Sequence, residues 1–138
     1  MIFLASQLKK CFFSVYSHNI RSLHGNHSNL LDTLSNCLPH KFSIVALQEV
    51  WSCHNIQDIP GYSKIEFNSR DKNTIPNPKC GGGVAFYIDN KFNYEILSFE
   101  NQFKCGIYES IWTNVDFGGG KGKIIGNIYR PNTAPMAD

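Results

Sequence analysis

No run of apolar residues in this chain approaches the ~20 that a helical membrane span requires. The amino-terminal Met1-Ile-Phe-Leu-Ala-Ser-Gln-Leu-Lys-Lys10 is a poor secretory signal, because Gln7 breaks its apolar stretch and the lysines follow it instead of preceding it. Basic residues form no block long enough to read as a nucleic-acid tail. The formal net charge of +2 permits contact with a polyanion without arguing for one, so any phosphate contact would have to be local. The five cysteines, Cys11, Cys37, Cys53, Cys80 and Cys105, contain no Cys-x-x-Cys pair and fit neither a zinc site nor a dense disulfide framework. They read as reduced and structural, which points to an intracellular compartment, nuclear or cytoplasmic, with no membrane partner. In that setting the Asn26-His27-Ser28 glycosylation triplet carries no meaning. There is neither an internal repeat nor a linker.

What is present is a chain of 138 residues, 42% hydrophobic and 17% charged, the profile of a globular chain of one domain at most. Aromatic content of 13% and many β-branched residues favour a sheet-rich core. Phe12 to Asn19 alternates loosely and reads as a first strand. A helix follows, with Asn26 or Ser28 as its N-cap, Leu30, Leu31, Leu34 and Leu38 at helical spacing, Asp32 in the first turn and Pro39 as its stop. Ser43 to Leu47 is a short apolar run that reads as a strand buried on both faces, and the crossover makes it a parallel or near neighbour of the first. Beyond Trp51 the pattern is β throughout. Pro60-Gly61 is a turn, Tyr62 to Phe67 a strand, and Asn68 to Lys79 a polar loop. Val84 to Ile88 is a strand with Phe92 to Phe99 as its antiparallel partner. Ile107 to Val115 pairs with Lys123 to Tyr129 across Asp116 to Gly122.

Candidate chemistry gathers at strand ends. Glu49 closes the buried run at its carboxyl end, where open sheets place ligands. A carboxylate there is either tied up in hydrogen bonds or holding a cation. Asn19 ends the first strand, and an asparagine in that place is often only a turn former. It is followed by Ile20-Arg21-Ser22-Leu23. Asn127-Ile-Tyr-Arg-Pro-Asn132 closes a third strand with a phenol, a guanidinium and an amide. Together the three ends would make a site for a phosphate and a divalent cation, with arginine offering bidentate phosphate contacts and a lone carboxylate suiting a hydrated Mg²⁺. The glycine clusters have plainer readings. Gly118 to Lys123 lacks the phosphate-loop spacing and is a hairpin turn, while Gly81 to Gly83 lets the backbone turn sharply or pack closely. His18 reads as a satisfied or exposed histidine.

From Phe12 to Asn132 the chain resembles the amino-terminal part of the endonuclease domain of non-LTR (LINE-type) retrotransposons, within the DNase I-like endonuclease/exonuclease/phosphatase superfamily. The resemblance is carried by Asn19-Ile-Arg-Ser-Leu23, Ile44-Val-Ala-Leu-Gln-Glu-Val-Trp51, Pro60-Gly-Tyr62, Gly81-Gly-Gly-Val-Ala-Phe-Tyr87, Glu109-Ser-Ile-Trp112 and Ile128-Tyr-Arg-Pro-Asn132, in the family's order. It implies an α/β (α+β) fold, the amino-terminal half of a four-layer DNase I-like sandwich with flanking helices. Residues 1–11 would be an amino-terminal extension and 12–138 the partial domain. It also implies Mg²⁺, with Mn²⁺ as an alternative, held by Glu49. Asn19 would orient groups around metal and phosphate, and Tyr129 and Asn132 would position the scissile phosphate. Arg21 and Arg130 would make nearby phosphate contacts to DNA. The reaction implied is nicking of one DNA strand, so that the freed end primes a downstream reverse transcriptase domain.

The family's apurinic branch carries an aspartate where this chain has Arg21. Its general base is a histidine near the carboxyl end, oriented by an aspartate, with an Asp-x-Asn pair on an earlier strand. These all follow the tyrosine motif, and none of His18, His24, His27, His40 and His54 does. The expectation is therefore about half of the sandwich and half of the site, an exposed apolar face and free strand edges, and no useful nuclease activity from these residues alone. Two other readings remain: a superfamily phosphatase acting on inositol phosphates or sphingolipids, and a non-enzymatic β-rich binding module in which Glu49 and Asn19 are structural.

Overall fold

Alternation along two central strands sets up the whole architecture. The computed structural model describes residues 13–38, 40–51, 56–67, 82–98, 103–104 and 107–132. In chain order these form β1 (Val15–Asn19), α1 (Leu23–Asp32) running on into a π-helical turn over Thr33–Cys37, β2 (Ile44–Gln48), β3 (Tyr62–Phe67), β4 (Val84–Asp89), β5 (Asn93–Leu97), β6 (Phe103–Lys104), β7 (Tyr108–Asp116) and β8 (Lys123–Tyr129). The first sheet has the order β1-β2-β4-β3, with β1 and β2 parallel and the remaining pairs antiparallel. The second is antiparallel and built around β7, which pairs with β5, β6 and β8. Over the described residues the fold is a β-rich α+β arrangement of two sheets and one helix.

Strands β2 and β4 lie in the middle of the first sheet and are buried on both faces, as the apolar run around Ile44 predicts. Val45, Leu47, Ala85 and Tyr87 point one way and pack with Leu23 and Leu30 of α1 and with Ile20, Val50, Ile56 and Ile59. Ile44, Ala46, Val84, Phe86 and Ile88 point the other way and meet Ile111 and Val115 of β7 and Phe117 just beyond it. Each Val, Leu, Ile or Phe side chain so buried contributes about 1.5–3 kcal/mol. The described residues thus make three layers: helix, sheet, sheet. The outer face of the second sheet carries Ile124 at 64% and Ile128 at 55% exposure. On that face the Trp112 ring lies directly over Gly126, its cross-strand partner, where a Cβ would come within 2.6 Å of the indole. Among the described residues no helix is long and apolar enough to cross a membrane.

The helix starts earlier than its leucine spacing suggests. Its N-cap is Ser22, whose side chain accepts from the Gly25 N–H, so Asn26 and Ser28 are interior and Asp32 is the last residue of α1. Leu30, Leu31 and Leu34 do face the core. The expected stop, Pro39, and the loop Asn68 to Lys79 lie outside the described residues, as do Cys11, Cys53, Cys80 and Cys105. Cys37 is free and exposed. Strand β5 pairs with β7, not with β4 as the short Asp89-Asn90 turn suggests. The reason is a contact distant in sequence. Phe92 packs edge-on against Phe117 at 4.9 Å and joins the intersheet core, which carries the chain across to the second sheet.

One polar side chain ties the sheets together. Asn127, 3% exposed on the inner face of β8, donates through Nδ2 to Leu47 O at 2.9 Å and Ala85 O at 3.0 Å. Its Oδ1 accepts from Gln48 Nε2 at 2.6 Å. Asn127→Ala would remove three hydrogen bonds between the sheets, each worth roughly 0.5–1.5 kcal/mol net, although the Gln48 amide keeps Ser17 Oγ as a partner. The expected loss is about 2–4 kcal/mol by urea unfolding, and a loss below about 1 kcal/mol would refute the staple.

The end of β4 holds the main buried charge. Burial alone would raise the Asp89 carboxyl. The Lys41 hydrogen bond at 3.0 Å, the Lys91 N–H at 3.1 Å and the two lysine charges bring it net below its ordinary value. Beside it, burial first and then the Asp89 charge push the Tyr62 phenol up to about 12, and its hydroxyl donates to Phe42 O at 2.8 Å. A lowered folded value means that Asp89 contributes stability fully present above about pH 4, the unfolded range, and lost as the pH falls through the folded value. Thermal unfolding from pH 7 to pH 3 should show this loss, and Asp89→Asn should flatten it.

Candidate functional site

The carboxyl ends of β1 and β2 run on together past the strands proper. Ile20 N bonds to Gln48 O at 3.0 Å, Ser22 N to Glu49 O at 2.9 Å and Leu23 N to Val50 O at 3.0 Å. To do so the backbone enters the left-handed region at four non-glycine residues: Arg21 (φ 47°), Ser22 (φ 84°), Glu49 (φ 53°) and Trp51 (φ 53°). Such residues each cost on the order of 1 kcal/mol and persist only where neighbours over-determine them. Here they are braced from two sides. Asn26 Nδ2 donates to the carbonyls of Ile20, Arg21 and Ser22 at 3.0, 3.1 and 3.2 Å. Across β2, Val50 N bonds to Gly83 O at 3.3 Å and Trp51 N to Gly82 O at 3.0 Å.

This geometry turns the Glu49 carboxylate toward the second sheet. Its Oε1 accepts from Asn19 Nδ2 at 2.9 Å and from the Tyr129 hydroxyl at 3.1 Å. Asn19 faces that way because β1 alternates, with Ser17 and Asn19 on the side of Gln48, whose amide also reaches Ser17 Oγ at 3.3 Å. Tyr129 faces that way because it lies two residues beyond Asn127 on the same face of β8. Three residues far apart in the chain thus meet on one oxygen, and among the described residues the other oxygen, Oε2, accepts no hydrogen bond.

The other candidates stand apart from this trio. Arg21 is exposed and borders a cavity of about 410 Å³ between β1 and α1, shared with His18, Asn19, Asn26, Asn29 and Thr33. Arg130 and Asn132 are exposed just beyond β8, and Asn132 makes no hydrogen bond to the trio. His18 is exposed and stacks on Tyr16 at 5.9 Å. Sequence reasoning gave Asn26 only a helix N-cap and assigned no site role to Asn127 or Glu109. Glu109 is 6% exposed, and its Oε2 accepts from the Gly83 N–H at 2.5 Å. The available signal was its place on a strand whose odd-numbered neighbours, Ile111 and Val115, are apolar, which puts the carboxylate on the buried face.

As a ligand set the trio suits a hydrated ion better than a caged one. Among the described residues no group of three or more His, Cys, Asp or Glu side chains is placed to hold a metal. One or two carboxylates are what Mg²⁺ commonly takes from a protein when water and a substrate phosphate supply the remainder, and Glu49 offers one. Compared with protein-family models and with curated proteins, the chain matches none.

The left-handed turn makes a test of the backbone independent of any ligand. Glu49→Gly and Glu49→Ala both remove the carboxylate, but only glycine relieves φ 53°. Glu49→Gly should be the more stable of the two by roughly 1 kcal/mol in urea unfolding. Equal stabilities, or alanine the more stable, would show that the turn relaxes without its side chain.

Proposed function

We propose that this chain supplies the metal- and phosphate-handling part of a Mg²⁺-dependent DNA endonuclease of the DNase I-like kind, hydrolysing a phosphodiester to nick one strand. The observation that carries the reading is the convergence of Asn19 and Tyr129 on a single oxygen of Glu49. Support for the sandwich comes from the two sheets packed across Ile44, Phe86, Ile111 and Val115.

In this reading Asn19 and the Tyr129 hydroxyl hold Oε1, and Glu49 would hold the ion through its other oxygen. Mg²⁺ there would supply polarisation of the phosphoryl group and charge stabilisation for the leaving oxygen. Arg21, Arg130 and Asn132, exposed around the same strand ends, make the phosphate contacts that place DNA. Activating the attacking water calls for a general base. The amide has no basic nitrogen, the phenol donates to Glu49, and the carboxylate is committed to its donors and the ion, so the base and further acidic ligands come from outside this trio. The nick then primes a reverse transcriptase joined to the same polypeptide.

A plasmid-nicking assay with Mg²⁺ tests this, run on the 138-residue chain and on a version extended to a full-size domain of this kind. The extended protein should nick. Glu49→Gln in it should lower the rate by roughly 10³-fold or more, and the 138-residue chain should stay at the level of an EDTA control. Folded extended protein that does not nick, or nicks regardless of Glu49→Gln, would leave the trio as a structural knot in a binding module.

A further inference from the structure

The diglycine that braces the Glu49 turn is itself held from behind. Gly82 and Gly83 both lie in the left-handed region, at φ 72° and 86°. Their carbonyls accept the Trp51 and Val50 N–H groups. The Gly83 N–H donates to Glu109 Oε2, and a Cβ on Gly82 would stand 2.8 Å from Glu109 Oε1. The carboxylate is therefore seated against both glycines. Glu109 is also the cross-strand partner of Tyr129 in the β7–β8 register. One rung of the second sheet thus acts on Glu49 twice: Tyr129 bonds its carboxylate, and Glu109 fixes its backbone through the diglycine.

We propose that Glu109 is a positioning residue of the Glu49 site, a buried carboxylate that clamps Gly82-Gly83 and through them sets the left-handed Glu49–Trp51 turn. The proposal deepens the metal-site reading above and rests on it for its functional meaning. A charged acceptor strengthens its bond to a backbone N–H and shortens it. A diglycine with no side chains has little else to fix its conformation. Removing the carboxylate frees the diglycine, then the two N–H bonds to Val50 and Trp51, then the direction in which Glu49 points.

Amide hydrogen exchange of the 138-residue chain, read residue by residue by NMR, decides the role of Glu109. In Glu109→Ala the Val50 and Trp51 amides should exchange at least tenfold faster, over and above any change at Ala46 and Leu47 inside β2. Glu109→Gln, which keeps an oxygen for the Gly83 N–H, should restore protection to within about threefold. Should the alanine variant fail to fold, Glu109→Asp draws the carboxylate back by one methylene and should give the same local loss. Exchange at Val50 and Trp51 that rises only in step with Ala46 and Leu47, or a glutamine variant no better than alanine, overturns the proposal. Mn²⁺ titration, followed by loss of the free-ion EPR signal with Glu49→Gln as control, is read in parallel. Binding about tenfold weaker in Glu109→Ala, but near normal in Glu109→Gln, is expected of a positioning residue, and unchanged affinity in the alanine variant counts against it. Wild-type chain showing no Glu49-dependent binding overturns the metal reading alone, since the exchange result judges the clamp without it.

Discussion

A buried amide crossing from one sheet to the other is the constraint on which the rest depends. Asn127 bonds the carbonyls of Leu47 and Ala85 and the side chain of Gln48, so it fixes β8 against the middle of the first sheet at one register. Apolar contacts between sheets are non-directional and would tolerate sliding. Three hydrogen bonds to fixed backbone and side-chain groups do not. Strand periodicity does the remainder: with Asn127 inward, Tyr129 is inward too, next to the residue that follows Gln48. A slip of one residue would turn Ile128 inward and point both polar groups at solvent. The staple and the candidate site are therefore a single piece of geometry.

The second constraint is strain gathered in one place. Arg21, Ser22, Glu49 and Trp51 are the non-glycine residues at positive φ among those described, and all lie where β1 and β2 end. Each costs on the order of 1 kcal/mol, against a net stability that is small for any domain. What offsets them is dense backbone pairing on both flanks and the three bonds of Asn26. The return on that expense is directional. An ordinary strand continuation would place Glu49 on the helix side of the sheet, since Gln48 already faces the second sheet. The left-handed turn at Glu49 brings it back toward Tyr129.

How much of this could be read from the residues alone divides along physical lines. The strands were legible because burial on both faces, or alternation, writes itself into composition; β3, β7 and β8 follow their apolar patterns closely. Asn19, Glu49 and Tyr129 were legible as polar groups at strand ends. The helix start was not, because His24-Gly25-Asn26-His27 has poor helix propensity and the true cap, Ser22, sits in a strained turn that no local pattern announces. The partner of β5 was missed because a short turn argues for a hairpin, while Phe92 and Phe117 argue through contacts distant in sequence. Asn127 and Glu109 were hidden for a similar reason. A polar residue at an inward strand position has meaning only once its partners on other strands are known.

The division of labour on the Glu49 carboxylate bears on what the site can do. A carboxylate with both oxygens saturated is a structural group, and one with neither engaged is free to swing. Here one oxygen takes two donors and the other takes none among the described residues. That arrangement costs the side chain its rotational freedom in advance, so on the proposed reading an ion meeting Oε2 would find the group already oriented. It also keeps the protein's own ligand count low, which favours an ion that retains water and exchanges it for a phosphate oxygen. With a net charge of only +2, the chain has little long-range pull on DNA. On the proposed reading, affinity must come from short-range contacts, and Arg21 and Arg130 flank the strand ends where such contacts would fall.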